Sequence, residues 1–198
     1  MRLPIPRLPL GWPAAFSLTI ACAALVGCTT TGPDVRANPA VARQEISKGI
    51  DATLSRLYQA APGSQQLVSR AAGVLVFPDV KSASFVVGAE HGDGALRVKG
   101  ERSGYYSITG GSIGWQAGAQ SKAIVLVFLT PDALAKFRNS NGWTVGADAN
   151  VAVAKVGANG SIDTLNAQQP VVQFVLNNLG LTAGVSLAGA KISPIRLG

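Results

Sequence analysis

Glycine is concentrated in the part of this chain that otherwise looks like β-sheet. Eighteen of the 23 glycines lie at or after Gly73, and several interrupt strand-like apolar runs, among them Gly110, Gly111, Gly114 and Gly118. A glycine inside a strand weakens it unless the sheet bends, bulges or is closely approached there. So many glycines together predict a strongly curled antiparallel sheet or a barrel-like body.

Helices are predicted on both sides of the first strands. Residues 41–60 carry apolar side chains at three- and four-residue spacing, which is typical of an amphipathic helix. A second short helix is predicted at 65–72, and a third after Thr130. The intervening segments form short strands, with a tight turn expected at residues 91–94. The fold class is therefore α+β in a single domain, with a few flanking helices.

The first 27 residues resemble a secretory signal. Arg2 and Arg7 precede an apolar stretch, and no acidic residue occurs before Asp34. The stretch ends in Leu25-Val26-Gly27-Cys28, which is typical of the bacterial lipobox, where the cysteine receives a diacylglycerol and the chain is cut before it. We expect residues 1–27 to be a lipoprotein signal peptide and Cys28 to be the lipidated residue.

An uncleaved transmembrane helix is the alternative for this segment. Prolines interrupt it, and the proline-free residues 14–27 fall short of the roughly 20 that a bilayer span needs. Thr29 follows Cys28, so the aspartate that retains lipoproteins in the inner membrane of enteric bacteria is missing. We expect a flexible tether over residues 28–40. The expected location is the cell envelope, in the outer membrane facing the periplasm.

Composition limits the remaining chemistry. The net charge is +7, without the Lys/Arg run that marks nucleic-acid binding, and this mild excess suits an anionic membrane surface. Cys22 would leave with the signal and Cys28 would carry lipid, so no disulfide is expected. His91 is the one histidine, and the acidic residues are scattered. No metal site and no cofactor are therefore expected.

Several separated motifs resemble those of the SYLF lipid-binding domain, over about residues 41–195. We place the SYLF-like domain at residues 41–198. The motifs that carry the resemblance are Gly73-Val74-Leu75-Val76-Phe77-Pro78, Ser84-Phe85-Val86-Val87-Gly88, Gly92-Asp93-Gly94, Tyr105-Tyr106-Ser107-Ile108, Gly114-Trp115-Gln116-Ala117-Gly118, Gly146-Ala147-Asp148-Ala149-Asn150-Val151 and Asn178-Leu179-Gly180-Leu181-Thr182-Ala183-Gly184.

The resemblance implies a lipid-binding module. Eukaryotic members bind phosphoinositides through a basic surface and an amphipathic N-terminal helix, and some bind actin, whereas bacterial members often occur alone in exported lipoproteins. This chain departs from the family pattern at two places. Residues 105–108 lack the proline of the common Trp-Ser-x-Pro motif, and Thr182 stands where many members have phenylalanine.

Six basic residues are predicted to meet anionic phospholipids, including phosphoinositide-like headgroups. In a strand, Arg97 and Lys99 point to the same face, and Arg102 follows closely. The first helix adds Arg43, Lys48 and Arg56. Two alternatives stay open: these cations form an ordinary solvated face, and the first helix docks on its own domain rather than on a membrane.

Two other function classes are relevant to this sequence. Residues 110–114 match the Gly-x-Ser-x-Gly nucleophile elbow around Ser112, but the elbow needs a strand, a sharp turn and a helix. The following residues 115–118 are glycine-rich and strand-like, so we expect no enzyme. The leading hypothesis is a lipid-anchored protein that binds anionic phospholipid headgroups. The alternative is a periplasmic scaffold that binds an envelope protein.

Overall fold

The structure is a computed structural model that describes residues 38–157, 159–163, 168–182 and 184–197, with only the backbone for 83–87 and 112–119. The predicted signal peptide, Cys28 and most of the predicted tether lie outside the described residues. Within the described ranges, no helix combines the length and the apolar character needed to cross a bilayer.

Three helices form, as predicted. They are α1 (Pro39–Ala60), α2 (Gly63–Arg70) and α3 (Pro131–Asn139). Helix α1 begins slightly earlier than the expected residue 41, because the Asn38 side chain accepts a hydrogen bond from the Ala40 amide at 3.1 Å and caps the first turn. At α3, the Thr130 hydroxyl accepts from the Ala133 amide at 3.2 Å.

The strands form one seven-stranded sheet. They are β1 (Gly73–Val98), β2 (Glu101–Phe128), β3 (Trp143–Thr144), β4 (Val151–Val153), β5 (Val171–Asn177), β6 (Gly180–Thr182) and β7 (Lys191–Ile195). Strand β2 pairs with β1 on one side, and on the other with β5 near its end and β7 near its start. The α+β class and the strongly curled sheet are confirmed. The sheet is mixed, because β4 runs parallel to β5.

The expected turn at residues 91–94 is wrong, because these residues lie inside β1 and pair with β2. The turn instead falls at Lys99-Gly100, between the two long strands. Strand β1 doubles back on itself, and the glycines at 92 and 94 let its two halves come close together. A Cβ on Gly94 would lie 2.2 Å from the Val76 carbonyl oxygen, and one on Gly92 would lie 2.7 Å from the Asp79 carbonyl oxygen. The glycines thus permit the curling.

Alternating side chains of the sheet fill two cores, one on each face. Ile124, Leu126 and Phe128 of β2 pack on the face covered by α3 and Trp143. Ala123, Val125 and Val127 pack on the opposite face, which α1 and α2 cover. Helix α1 contributes its fully buried Ile50 and Leu57 to this second core. Of the two alternatives for the first helix, the structure therefore shows the one in which it docks on its own domain.

Candidate lipid-binding site

Helix α1 lies across the doubled β1 and leaves a hollow on each side. The helix approaches the sheet closely at Gly49, where a Cβ would lie 2.7 Å from the Pro78 Cβ. The Ile50 side chain is buried beside this contact. One side of the helix faces the β1–β2 turn, and the other faces residues 78–81 and 91–93 of β1.

The first hollow, which we call the basic cavity, has a volume of about 310 Å³. It lies between α1 and the β1–β2 turn. Two arginines from the predicted set, Arg97 and Arg102, both line it. The full lining is Ile46, Ser47, Ile50, Ala95, Arg97, Gly100 and Arg102.

Both arginines of the basic cavity have partners that hold them in place. The Arg97 Nη1 atom lies 2.8 Å from Asp51 Oδ1 on α1, and the Arg97 side chain is 21% exposed. The Arg102 guanidinium carbon lies 5.2 Å from the centre of the Tyr105 ring, within the range of a cation–π contact. A guanidinium carries five N–H donors, so Asp51 leaves Arg97 with donors for a second anion.

Lys99 occupies the β1–β2 turn beside this cavity. Its φ of 52° and the φ of 81° at Gly100 match a type I′ turn, which needs positive φ at both central residues. Lys99 is exposed, and it lines a hollow on the far side of Arg97, next to Tyr58. Burial raises the pKa of Tyr58, and the positive charge of Arg97 lowers it by a smaller amount.

The predicted cations of α1 lie elsewhere. Arg56 donates a hydrogen bond to the Asn177 carbonyl oxygen at the end of β5. Lys48 is exposed on the helix, and Arg43 is partly buried and engaged in an interaction. The structure therefore brings together Arg97, Lys99 and Arg102 at the turn, and does not bring the α1 cations into the basic cavity.

The second hollow, which we call the α1 groove, has a volume of about 530 Å³. Sequence reasoning missed it. The available signal was the small residues Ala42, Gly49 and Ala52, which recur along one side of the helix. Its full lining is Ala42, Glu45, Ile46, Gly49, Ala52, Thr53, Arg56, Pro78, Asp79, Lys81, His91, Gly92, Asp93 and Leu197.

The β1 rim of the α1 groove carries charges of both signs. The Lys81 Nζ atom lies 3.6 Å from Asp79 Oδ2, and the Ser121 hydroxyl donates to Asp79 Oδ1 at 2.5 Å. His91 Nε2 lies 3.4 Å from Asp93 Oδ1, a contact that becomes an ion pair when the histidine is protonated. These pairs hold the carboxylates along the edge of the groove.

The sequence match to a nucleophile elbow has no counterpart in the backbone. Ser112 lies within β2, where it pairs with Gly88 of β1, and the strand continues on both sides. His91 pairs with Thr109 in the same ladder. An elbow requires the strand to turn sharply into a helix after the serine. The backbone at Ser112 therefore has the conformation of a strand interior.

The described part of the chain is thus a curled α+β domain with a helix docked on its sheet and cation-containing hollows beside that helix. Residues 109–196 match the family described as Ysc84, Las17-binding protein actin regulator. The matched stretch is less than half of the chain, and it agrees with the predicted resemblance to the SYLF family. The family is known for lipid binding and actin regulation, and its domain is a binding domain. No curated protein matches the chain.

The matched residues begin within β2 and end after β7. Helix α1 and the turn with Arg97, Lys99 and Arg102 precede them. The family match therefore does not cover these three residues, and only the geometry of this chain bears on their roles.

Proposed function

We propose that this chain is a non-enzymatic lipoprotein of the cell envelope whose domain binds anionic phospholipid headgroups in the basic cavity. Acyl chains on Cys28 anchor it in the outer membrane, facing the periplasm. The observation that carries the proposal is that Arg97 and Arg102, from two different strands, both line one hollow beside α1.

The chemistry of the basic cavity suits a phosphate. Guanidinium groups bind phosphate through paired, charge-assisted hydrogen bonds. Ser47 adds a hydroxyl donor from α1. At about 310 Å³, the cavity lies at the lower end of the range for ligand pockets, which fits a headgroup better than a whole lipid. A phosphoinositide-like headgroup with several phosphates would engage both arginines at once.

Lys99 extends this basic character beyond the cavity. It is exposed at the tip of the β1–β2 turn, and a lysine near an anionic membrane contributes roughly 1 kcal/mol of attraction. The acyl chains of a lipoprotein already fix the protein in one leaflet. The headgroup contact therefore sets the orientation of the domain, or reaches a lipid of another membrane.

Vesicle binding tests the headgroup site. The full chain with Cys28→Ser is mixed with phosphatidylcholine vesicles, with and without phosphatidylglycerol, in low salt. We expect preference for the anionic vesicles, and a loss of about tenfold or more in Arg97→Gln/Arg102→Gln, as two contacts of roughly 1 kcal/mol imply. The matched control is Lys136→Gln/Arg196→Gln, which removes the same charge from exposed positions.

Equal losses in the two double variants would show that only net charge matters, and the cavity would not be the site. Absence of any anionic preference, together with a stoichiometric protein captured from solubilised envelopes, would favour the periplasmic scaffold instead. The anchor has its own test, since mass spectrometry of the envelope-extracted protein should find a chain that begins at a diacylglyceryl Cys28. A chain that retains residues 1–27 would contradict it.

A further inference from the structure

The α1 groove has the dimensions of a lipid chain. On α1 its lining runs from Ala42 to Arg56, which spans about 20 Å at 1.5 Å per helical residue. One leaflet of a bilayer contributes about 15 Å of hydrocarbon thickness. The groove volume of about 530 Å³ lies well within the range of small-molecule sites. The groove is therefore long enough for most of an acyl chain to lie along α1.

Small and apolar residues form much of the groove lining. Helix α1 supplies Ala42 and Ala52, whose short side chains leave space beside the helix, together with Gly49, and Pro78 and Leu197 add apolar surface. The Gly49–Pro78 contact brings the helix down onto β1. This apolar surface is suited to contact with hydrocarbon, whereas the polar residues of the lining are suited to contact with a headgroup.

The rim of the α1 groove differs from that of the basic cavity because it carries both signs. Arg56 and Lys81 are positive, whereas Glu45, Asp79 and Asp93 are negative. A purely anionic headgroup would face three carboxylates here. A headgroup with both a phosphate and an ammonium complements the rim, because the phosphate meets the cations and the amine donates to the carboxylates.

We propose that the α1 groove binds the acyl chain of an aminophospholipid, a lipid whose headgroup carries a phosphate and a primary amine. The inference rests on the proposed lipid-binding function and extends it from a headgroup contact to a whole lipid molecule. The domain would then hold one lipid out of the bilayer along α1, while the basic cavity contacts an anionic membrane surface.

Filling the groove tests the acyl-chain site. Ala52 lines the groove and is exposed, so Ala52→Trp adds bulk there without disturbing the buried core. The probe is palmitoyl lysophosphatidylethanolamine below its micelle concentration, titrated into the full chain with Cys28→Ser. We expect Ala52→Trp to weaken binding at least tenfold. Ala60→Trp, an exposed position of the same helix outside the groove lining, should change it less than twofold. Equal affinity in both variants and the parent would overturn the proposal.

Headgroup selectivity tests the charge argument. We expect the ethanolamine lysolipid to bind at least fivefold more tightly than the glycerol lysolipid of equal chain length. Glu45→Gln should reduce this ratio, since Glu45 is one of the rim carboxylates and is exposed. A preference for the glycerol lysolipid would overturn the assignment of an aminophospholipid.

The two proposals fail separately. Arg97→Gln/Arg102→Gln should weaken vesicle binding and leave lysolipid binding unchanged, because neither arginine lines the groove. If lysolipid binding is absent while vesicle binding still depends on these arginines, the groove proposal falls and the headgroup site stands. If the protein binds neither lysolipid nor vesicles, both proposals fall.

Discussion

The basic cavity and the α1 groove lie on opposite sides of α1, and different elements supply the side chains that characterise each. In the basic cavity, the strands supply the cations, and α1 supplies Ser47 and apolar side chains. In the groove, α1 supplies the open space through its small residues, and both elements contribute charges. Ile46 lines both hollows and separates them.

This difference shows that an amphipathic helix does more than cover a core. Its buried stripe, with Ile50 and Leu57, fixes the helix on the sheet. The residues beside that stripe then decide what each flank can hold, since bulky or charged side chains would close the space that Ala42 and Ala52 leave open. The cations that line the basic cavity come from the strands beside the β1–β2 turn and not from α1.

The largest expected effect comes from Gly49→Ala, which disrupts the close contact between α1 and Pro78 in the α1 groove. Alanine is the better helix former by about 1 kcal/mol. Its Cβ would lie 2.7 Å from the Pro78 Cβ, however, so the helix must lift from β1. Overpacking typically costs about 1–3 kcal/mol. We expect a net loss of up to about 2 kcal/mol in the free energy of unfolding, measured by urea denaturation.

Ser55→Ala is the control for Gly49→Ala, because it lies on the exposed side of the same helix and should change stability by less than about 0.5 kcal/mol. A gain in stability for Gly49→Ala would mean that α1 does not approach β1 closely. The division into two hollows would then be wrong.

A smaller and opposite effect is expected at the turn beside the basic cavity. Lys99 adopts a positive φ, whereas asparagine followed by glycine is the favoured pair of a type I′ turn. We expect Lys99→Asn to raise the free energy of unfolding by about 0.5–1 kcal/mol and to weaken binding to anionic vesicles. Lys99→Arg keeps the positive charge and the unfavourable positive φ, so it should change neither the free energy of unfolding nor vesicle binding. A less stable Lys99→Asn protein would contradict the assigned turn.

The smallest expected effect is on the pKa of Tyr58, which lines the same hollow as Arg97 and Lys99. Burial raises the pKa of Tyr58 above its usual 10.0, while Arg97 lowers it in part. Arg97→Gln should therefore raise the pKa of Tyr58 further. Absorbance titration of the parent and of Arg97→Gln, each with and without Tyr58→Phe, isolates this group from Tyr106, whose pKa burial also raises.

The sign of the pH dependence follows from the same shift. A raised pKa in the folded state means that the folded protein holds the Tyr58 proton more tightly than the unfolded chain. The stabilisation is present below pH 10 and is lost as the pH rises through the folded-state pKa. The free energy of unfolding should therefore fall as the pH rises above 10, and it should fall less in Tyr58→Phe. An unchanged Tyr58 titration in Arg97→Gln would contradict the placement of Arg97 beside this ring.

Local patterns predicted much of the fold. The spacing of Ile50 and Leu57 predicted the docked face of α1, and Thr130 marked the start of α3, because both signals act within a few residues. The glycines at 92 and 94 were informative, but they were assigned to a turn. Glycine suits a turn and a close backbone approach equally well, and only the distant partners Val76 and Asp79 distinguish the two.

The sequence by itself determined the α+β class, the curled sheet, the SYLF-like motifs and the types of charge available, because periodicity, composition and motifs are local properties. The tertiary structure alone decided which of these charges share a hollow. Asp51 meets Arg97, and Arg56 meets the end of β5, through contacts between residues far apart in the chain. The position of the α1 groove likewise depends on how α1 packs on β1, since Gly49 lies against Pro78 in a contact that no local pattern encodes.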